Sequence, residues 1–386
     1  MKRKRLPSRT SGYKPIEIAP YSGCHIAAVK DFNRRLRAGG APPDYVFSES
    51  PTPNWLPAIP GAPVYNEYYL ALENGVVRGT YVLKHQKFSF RGDIHPVVYI
   101  HHPFSEGIVD KKYAYVGVQM MMHILRSHHL VYALGMGGYD RPFPRMLMAL
   151  NWKHRLVPFY FRVCHPARFL RNMPALRQSN SKRFVADFAA FTGAGWIGLQ
   201  AVQGITGFCG LRKRADAVTV EEFDGWADEI WNNCLADFAM IAVRDALALR
   251  ALYPASNTNF IRSKVSAGGR LLGWVVIAET QNRNHPQYGD LKVGTIVDGL
   301  CRPEHAITVV AAATRALTDR HVDVITSNQS HLAWARALKS CGFLKGPSNF
   351  IFAASKPLSQ VLDPFEQNFP LAHLNRGDGD SLLKYL

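Results

Sequence analysis

The stretch Val322–Phe343, VDVITSNQSHLAWARALKSCGF, runs on after a short break into Asn349–Ala354, NFIFAA. Val322–Thr326 has the β-branched content of a strand, and Ala333–Leu338 supplies the apolar face of a short helix. Gly342 suits the end of that helix, since glycine adopts the left-handed backbone that closes helices without a side-chain clash. Phe343 then opens the next strand. An earlier segment, Leu130–Val163, has the same order: a strand Leu130–Leu134, a glycine-rich GMGGYDRPF, a helix Pro144–Leu150, Asn151–Trp152, and a strand Val157–Val163. The chain therefore reads as a duplication of a mixed α/β unit.

Working outward from the first repeat, Tyr68–Leu72 and Val76–Leu83 flank Asn74–Gly75, the dipeptide preferred in the tight turn of a hairpin. Phe88–Phe90 and Val97–Ile100 extend the same sheet, and Val29–Leu36 fits a short helix. A further helix spans about Tyr115–Arg126, and Lys111–Lys112 precede it. Around the second repeat, strands are expected at Ile261–Val265, Leu271–Thr280 and Lys292–Leu300, with a helix over Pro303–Leu317. Two more helices are expected over 220–234 and 235–254, the second stopped by Pro254.

This strand, helix, Gly-aromatic, strand order resembles the C-terminal half of a GNAT acyltransferase domain, and its repetition resembles a tandem GNAT-like protein. More distantly it resembles the FemAB-type and polysaccharide-associated relatives of that family, the latter also in RDALALRALY, residues 244–253. The resemblance implies two GNAT-like domains with curved mixed sheets and flanking helices. It divides the chain into a basic flexible tail (1–14), an N-terminal domain (15–165), a glycine-rich crossover (166–219), a C-terminal domain (220–360) and an extension (361–386).

The resemblance also implies the chemistry: transfer of an acyl group from acyl-CoA, acetyl-CoA being the expected donor, to the nitrogen of a small amine or amino-sugar precursor. In that family a glycine-containing turn before a helix cradles the donor's pyrophosphate. AYVGVQ is the nearest match, with Gly117 kept and Gln119 where glycine or alanine is usual. The donor-binding candidates are therefore Lys111, Lys112, the backbone of Val116, Gly117 and Val118, and Gly135 beyond the next strand. Glu106 is the candidate general base and Tyr139 the candidate general acid. Leu147 and Leu338 stand near the family's usual catalytic tyrosine, and GLCRPEHAITVVAAA lacks the multiple-glycine turn. The second half is thus better suited to organising the acceptor or to structural duplication. Two alternatives stand beside this reading: a non-enzymatic binding scaffold, and a FemAB-like transferase taking aminoacyl-tRNA.

Composition narrows these choices. With 386 residues, 47% of them hydrophobic, the chain can build two cores. The formal charge of +17 favours acidic ligands or surfaces and permits tRNA, but charge alone carries no base selection. The six cysteines are scattered, which fits reduced, packed thiols, and neither His101–His102 nor His128–His129 has a ligand set around it, so no metal is expected. No apolar leader follows the charged start, which places the protein in the cytoplasm, with the inner membrane surface as the alternative. The uncharged stretch 188–211 raises a membrane span or peripheral contact. Its six glycines and Gln200 and Gln203 favour a crossover hairpin. Oligomeric state is not legible.

Overall fold

The computed structural model describes residues 16–172 and 215–379. The basic tail 1–14, the uncharged stretch 188–211 and most of the expected crossover lie outside the described residues. No described helix is long and apolar enough to cross a membrane.

The described chain runs β1 (Glu17–Pro20), α1 (Ile26–Ala38), β2 (Val64–Glu73), β3 (Val76–Phe90), β4 (Asp93–Ser105), α2 (Ala114–Ser127), β5 (Val131–Leu134), α3 (Pro142–Ala149), β6 (Lys153–Leu156), β7 (Phe159–Val163) and α4 (Pro166–Asn172). It resumes with β8 (Asp216–Val220), α5 (Gly225–Cys234), β9 (Met240–Ala242), α6 (Ala246–Leu252), β10 (Phe260–Ala267), β11 (Arg270–Gln281), β12 (Lys292–Cys301), α7 (Ala306–Thr318), β13 (Val324–Asn328) and α8 (Leu332–Ser340). It ends with β14 (Leu344–Gly346), β15 (Ile351–Ala354), α9 (Lys356–Val361), α10 (Phe365–Asn368) and β16 (Ala372–His373). Most expected elements are present within a few residues. The helix expected over 235–254 is instead the strand β9 followed by the short helix α6. Asp245 separates them, its carboxylate accepting the Ala248 amide at 2.8 Å as the helix cap.

The strands make two mixed sheets, one of nine and one of seven strands among the described residues. The expectation of curved sheets is corrected here: both are open and neither is strongly curled. Each is a linear order of strands whose two outermost members are not paired with each other, so neither closes on itself, and each takes a strand from the other repeat. In one sheet β15 lies between β5 and β6, antiparallel to both; in the other β7 lies between β13 and β14, antiparallel to both. The strand expected to finish each repeat thus finishes the other. The turn that makes this possible is the same in both repeats. Asn151 (φ 57°) and Gly342 (φ 82°) end α3 and α8 in the left-handed region, and Trp152 and Phe343 follow, buried.

Two compact units emerge. The first comprises Met1–Pro53, Glu67–Leu83 and His102–Ser127. Here α1 buries Val29, Phe32 and Leu36 against Phe47, Leu70, Val77 and Phe104. Asn33, on the same buried face, is satisfied by both backbone groups of Phe47, at 2.9 and 3.0 Å. β3 and α2 approach closely at Gly79, where an added Cβ would lie 2.7 Å from the Met120 sulfur and 3.0 Å from Val116 Cγ1.

The second unit comprises Asn54–Asn66, Lys84–His101 and His128–Leu386. It contains the whole seven-stranded sheet, whose core is built from α7, α8 and the inner faces of β11 to β13. Another of its clusters joins Tyr132 and Phe352 to Phe365, Phe369, Ala372 and Leu374. Leu362, Phe365, Phe369, Ala372 and Leu374, from the expected extension, are therefore core. Burying each of those phenylalanines is worth roughly 1.5–3 kcal/mol.

Candidate active site

In each repeat a parallel strand pair ends early, and the second unit holds both endings. β12 pairs with β13 from Val293–Val324 as far as Ile296–Ser327. At the same level β11 slips register, Val276 facing Asp298 and Ile277 facing Ile296, so Val297 is an extra, bulged residue. Beyond it the two strands part. β4 pairs with β5 only from Val98–Val131 to Ile100–Ala133, and His102, two residues further along β4, has φ 48°.

The β12–β13 wedge is filled by the chain itself. Ser330 donates its amide to Leu374 O at 3.1 Å, Leu374 returns a bond to Ser330 Oγ at 2.8 Å, and Gln329 bridges to Asn375. His373 donates from Nε2 to Gly299 O at 2.9 Å, and Asn375 donates to Asp298 Oδ1 at 2.7 Å. Asp298, Tyr253, Arg244 and Asp378 complete a buried network. Arg244 gives Nε to Asp298 (2.7 Å) and Nη2 to Asp378 (2.6 Å), while the Tyr253 hydroxyl donates to Asp298 at 2.7 Å. Burial opposes the charge on Arg244, but Asp298 and Asp378 outweigh it and hold the guanidinium protonated. Lys84 and Tyr132 both donate to the backbone carbonyl of Asp378, at 3.0 and 2.8 Å. Segment 372–378 is thereby fastened into the wedge at side chain and backbone alike.

Among the histidines of this plug, His373 is 1% exposed and His331, which caps α8, is 4% exposed. Both rings lie 5.0 Å from Phe238, and Trp334 is 5.2 Å from His373. Burial pushes His331 down to about 4 and, with the neighbouring His331, pushes His373 down to about 3, so both imidazoles are neutral across the physiological range.

The end of β5 is different in kind. Gly135, Gly137 and Gly138 have φ of 96°, 79° and 127°, a loop that only glycines hold without strain. It leads to Tyr139, which is 36% exposed. Gly135 donates its amide to Ile351 O at 3.0 Å, tying the loop to the exchanged strand. The Tyr139 hydroxyl meets Nδ1 of His154, on β6, at 3.1 Å, their rings edge to face at 5.2 Å. Burial raises the Tyr139 pKa against the opposing effect of Arg155; burial and then Arg155 lower that of His154. The phenol therefore keeps its proton at neutral pH and the imidazole stays neutral.

The remaining residues singled out in the sequence lie in the first unit. Glu106 is 5% exposed and begins a turn of 3-10 helix. Its carboxylate takes Arg35 Nε and Arg78 Nη1, each at 2.9 Å, and Arg78 also reaches Glu73 at 3.1 Å. Two guanidiniums thus hold the carboxylate as ion-pair partners. Lys111 and Lys112 are exposed, in a 3-10 turn capped by Asp110, whose carboxylate accepts the Lys112 amide at 2.9 Å. Val116, Gly117 and Val118 belong to the opening turns of α2 and form no separate loop; Val116 is core and Val118 is exposed. Gly135 and Tyr139 are brought together with His154, a residue that sequence reading passed over.

Three further residues take definite places. Arg244, which in sequence reads with Asp245 as a solvated or structural pair, is fully buried and bonded to Asp298 and Asp378. Leu147 and Leu338 are core residues at 1% exposure.

No family model matches the sequence, and no curated protein does. Solved structures of similar fold include the Saccharomyces cerevisiae N-myristoyltransferase with bound myristoyl-CoA, 12% identical over 92% of this chain and 86% of that one, with a TM-score of 0.49. A probable N-acyltransferase from Enterococcus faecalis is 9% identical over 88% of this chain and 72% of that one, with a TM-score of 0.47. A tandem GNAT protein from the clavulanic acid biosynthesis pathway is 12% identical over 89% of this chain and 99% of its own, with a TM-score of 0.45.

Proposed function

We propose that this protein is an acyl-CoA-dependent N-acyltransferase in which the N-terminal repeat performs the chemistry and the C-terminal repeat is structural at its own strand wedge. One observation carries the reading: the strand wedge of the C-terminal repeat is filled by residues 372–378, while in the N-terminal repeat β5 runs into a glycine loop that presents a tyrosine bonded to a neutral histidine on β6. Attack of an amine on a thioester needs a proton taken from nitrogen and a proton given to sulfur, and the Tyr139–His154 pair is equipped to move protons at neutral pH. The acceptor in this proposal is an amino sugar or related cell-envelope precursor, and acetyl-CoA is the first donor to try.

Lys111, Lys112 and the first turn of α2 form a separate proposed contact for the phosphates of the donor. Ammonium groups and the positive end of a helix dipole suit such a charge. Calorimetry of acetyl-CoA and longer acyl-CoAs binding to wild type and to K111A/K112A tests it. Weaker binding by a folded double variant is expected, and identical binding removes the lysines from the role. Mass spectrometry of cell-envelope precursors incubated with protein and acyl-CoA tests the reaction. A donor-matched increment on nitrogen is expected; transfer only from charged tRNA, or retention of precursor without transfer, would overturn it.

A further inference from the structure

We propose that Tyr139 and His154 form a two-way proton relay, Tyr139 touching the reacting atoms and His154 acting through it as the positioning and proton-holding residue. The proposal rests on the acyltransferase reading above and deepens it by assigning the base, a role that Glu106 is poorly placed to fill between Arg35 and Arg78.

The direction of the relay follows from the bond. The relay starts from the His154 tautomer that carries its proton on Nε2: Nδ1 then accepts, and the Tyr139 hydroxyl donates to it and turns an oxygen lone pair outward. As the acceptor nitrogen attacks the thioester carbonyl carbon, the new C–N bond forms and the amine proton passes to Tyr139 Oη. Tyr139's own proton moves to His154 Nδ1. The C–S bond then breaks with its electron pair on sulfur, and the proton returns from His154 through Tyr139 to the thiolate. Protons, atoms and charge balance with no outside reagent: amine and thioester become amide and thiol.

The surroundings suit both directions. The groups facing His154 are Tyr139 from the loop and Arg155 from its own strand, Arg155 being paired in turn with Glu366. The exchanged strand β15 offers only Phe352, Ala353 and Ala354 to Arg155, His154 and Lys153. A cation beside the imidazole makes the protonated state short-lived, as a relay requires. Three left-handed glycines carry the chain to Tyr139, Gly135 anchors them to Ile351, and the bond to His154 holds the hydroxyl.

The test is the pH profile of kcat/KM for transfer from acyl-CoA to glucosamine, with acetyl and longer donors, by wild type, Y139F and H154Q. Donor binding is measured alongside by calorimetry, and folding by thermal unfolding. With rates expressed per neutral amine, wild type should show an acidic limb below the ordinary histidine range. Both variants should bind donor normally and fall about 100-fold at neutral pH, and H154Q should lose that limb. Variants with normal limbs and rates would overturn the relay while leaving the acyltransferase reading intact. Donor binding without any transfer by wild type would overturn that reading, and the relay with it.

Discussion

Acidification should release the C-terminal segment from the β12–β13 wedge before it unfolds the rest. His331 and His373 are neutral when folded, with pKa values held at about 4 and about 3 against an ordinary value near 6.5. Between those limits the open state binds more protons than the folded one, so stability falls as pH falls through the window from 6.5 toward 4. Linkage gives each ring about 1.2 kcal/mol lost between pH 6 and pH 5, or roughly 2.4 kcal/mol for the two, about a 50-fold rise in the open population. Hydrogen exchange at the Leu374 and Ser330 amides, which bond across the wedge, reads this opening once corrected for the intrinsic pH dependence of exchange. Replacing His373 by Gln should remove about half of the effect. Protection that stays constant from pH 6 to pH 5 would refute the reasoning.

Arg244→Met should cost about 3–5 kcal/mol in urea unfolding, because Asp298 and Asp378 would stay buried without a cation; a loss under 1 kcal/mol would mean that the network relaxes to water. Gly79→Ala should lower stability by roughly 1–3 kcal/mol through the forced shift of α2 from β3, and an unchanged thermal midpoint would show that Met120 swings clear at no cost.

Reading the sequence recovers the elements of both repeats because hydrophobic period and turn chemistry are local signals. Asn151 and Gly342 mark helix ends, and both have the left-handed backbone that their chemistry suggests. Partnership between strands is not local. Phe159–Val163 and Ile351–Ala354 are both short and apolar, so either would complete either sheet, and nothing in their pattern reveals the exchange. Arg244 reads as paired with the adjoining Asp245, while its actual partners lie 54 and 134 residues away. β9 was hidden inside a helical pattern by the apolar run Phe238–Val243. His154 sits in KHRL, a strand with no apolar alternation, and only the fold brings it to Tyr139.

The exchange of β7 and β15 has a consequence for synthesis on the ribosome. β5 and β6 emerge early, yet the strand that must lie between them is Ile351–Ala354, almost two hundred residues later. A nascent chain therefore carries a gap in its first sheet, with unpaired backbone on both sides, until nearly all of the polypeptide has been translated. β7 waits in the same way for β13 and β14. A premature stop before residue 344 would leave both sheets without their full set of strands, so truncated products should be cleared as aggregates or by proteolysis and should not persist as a working half.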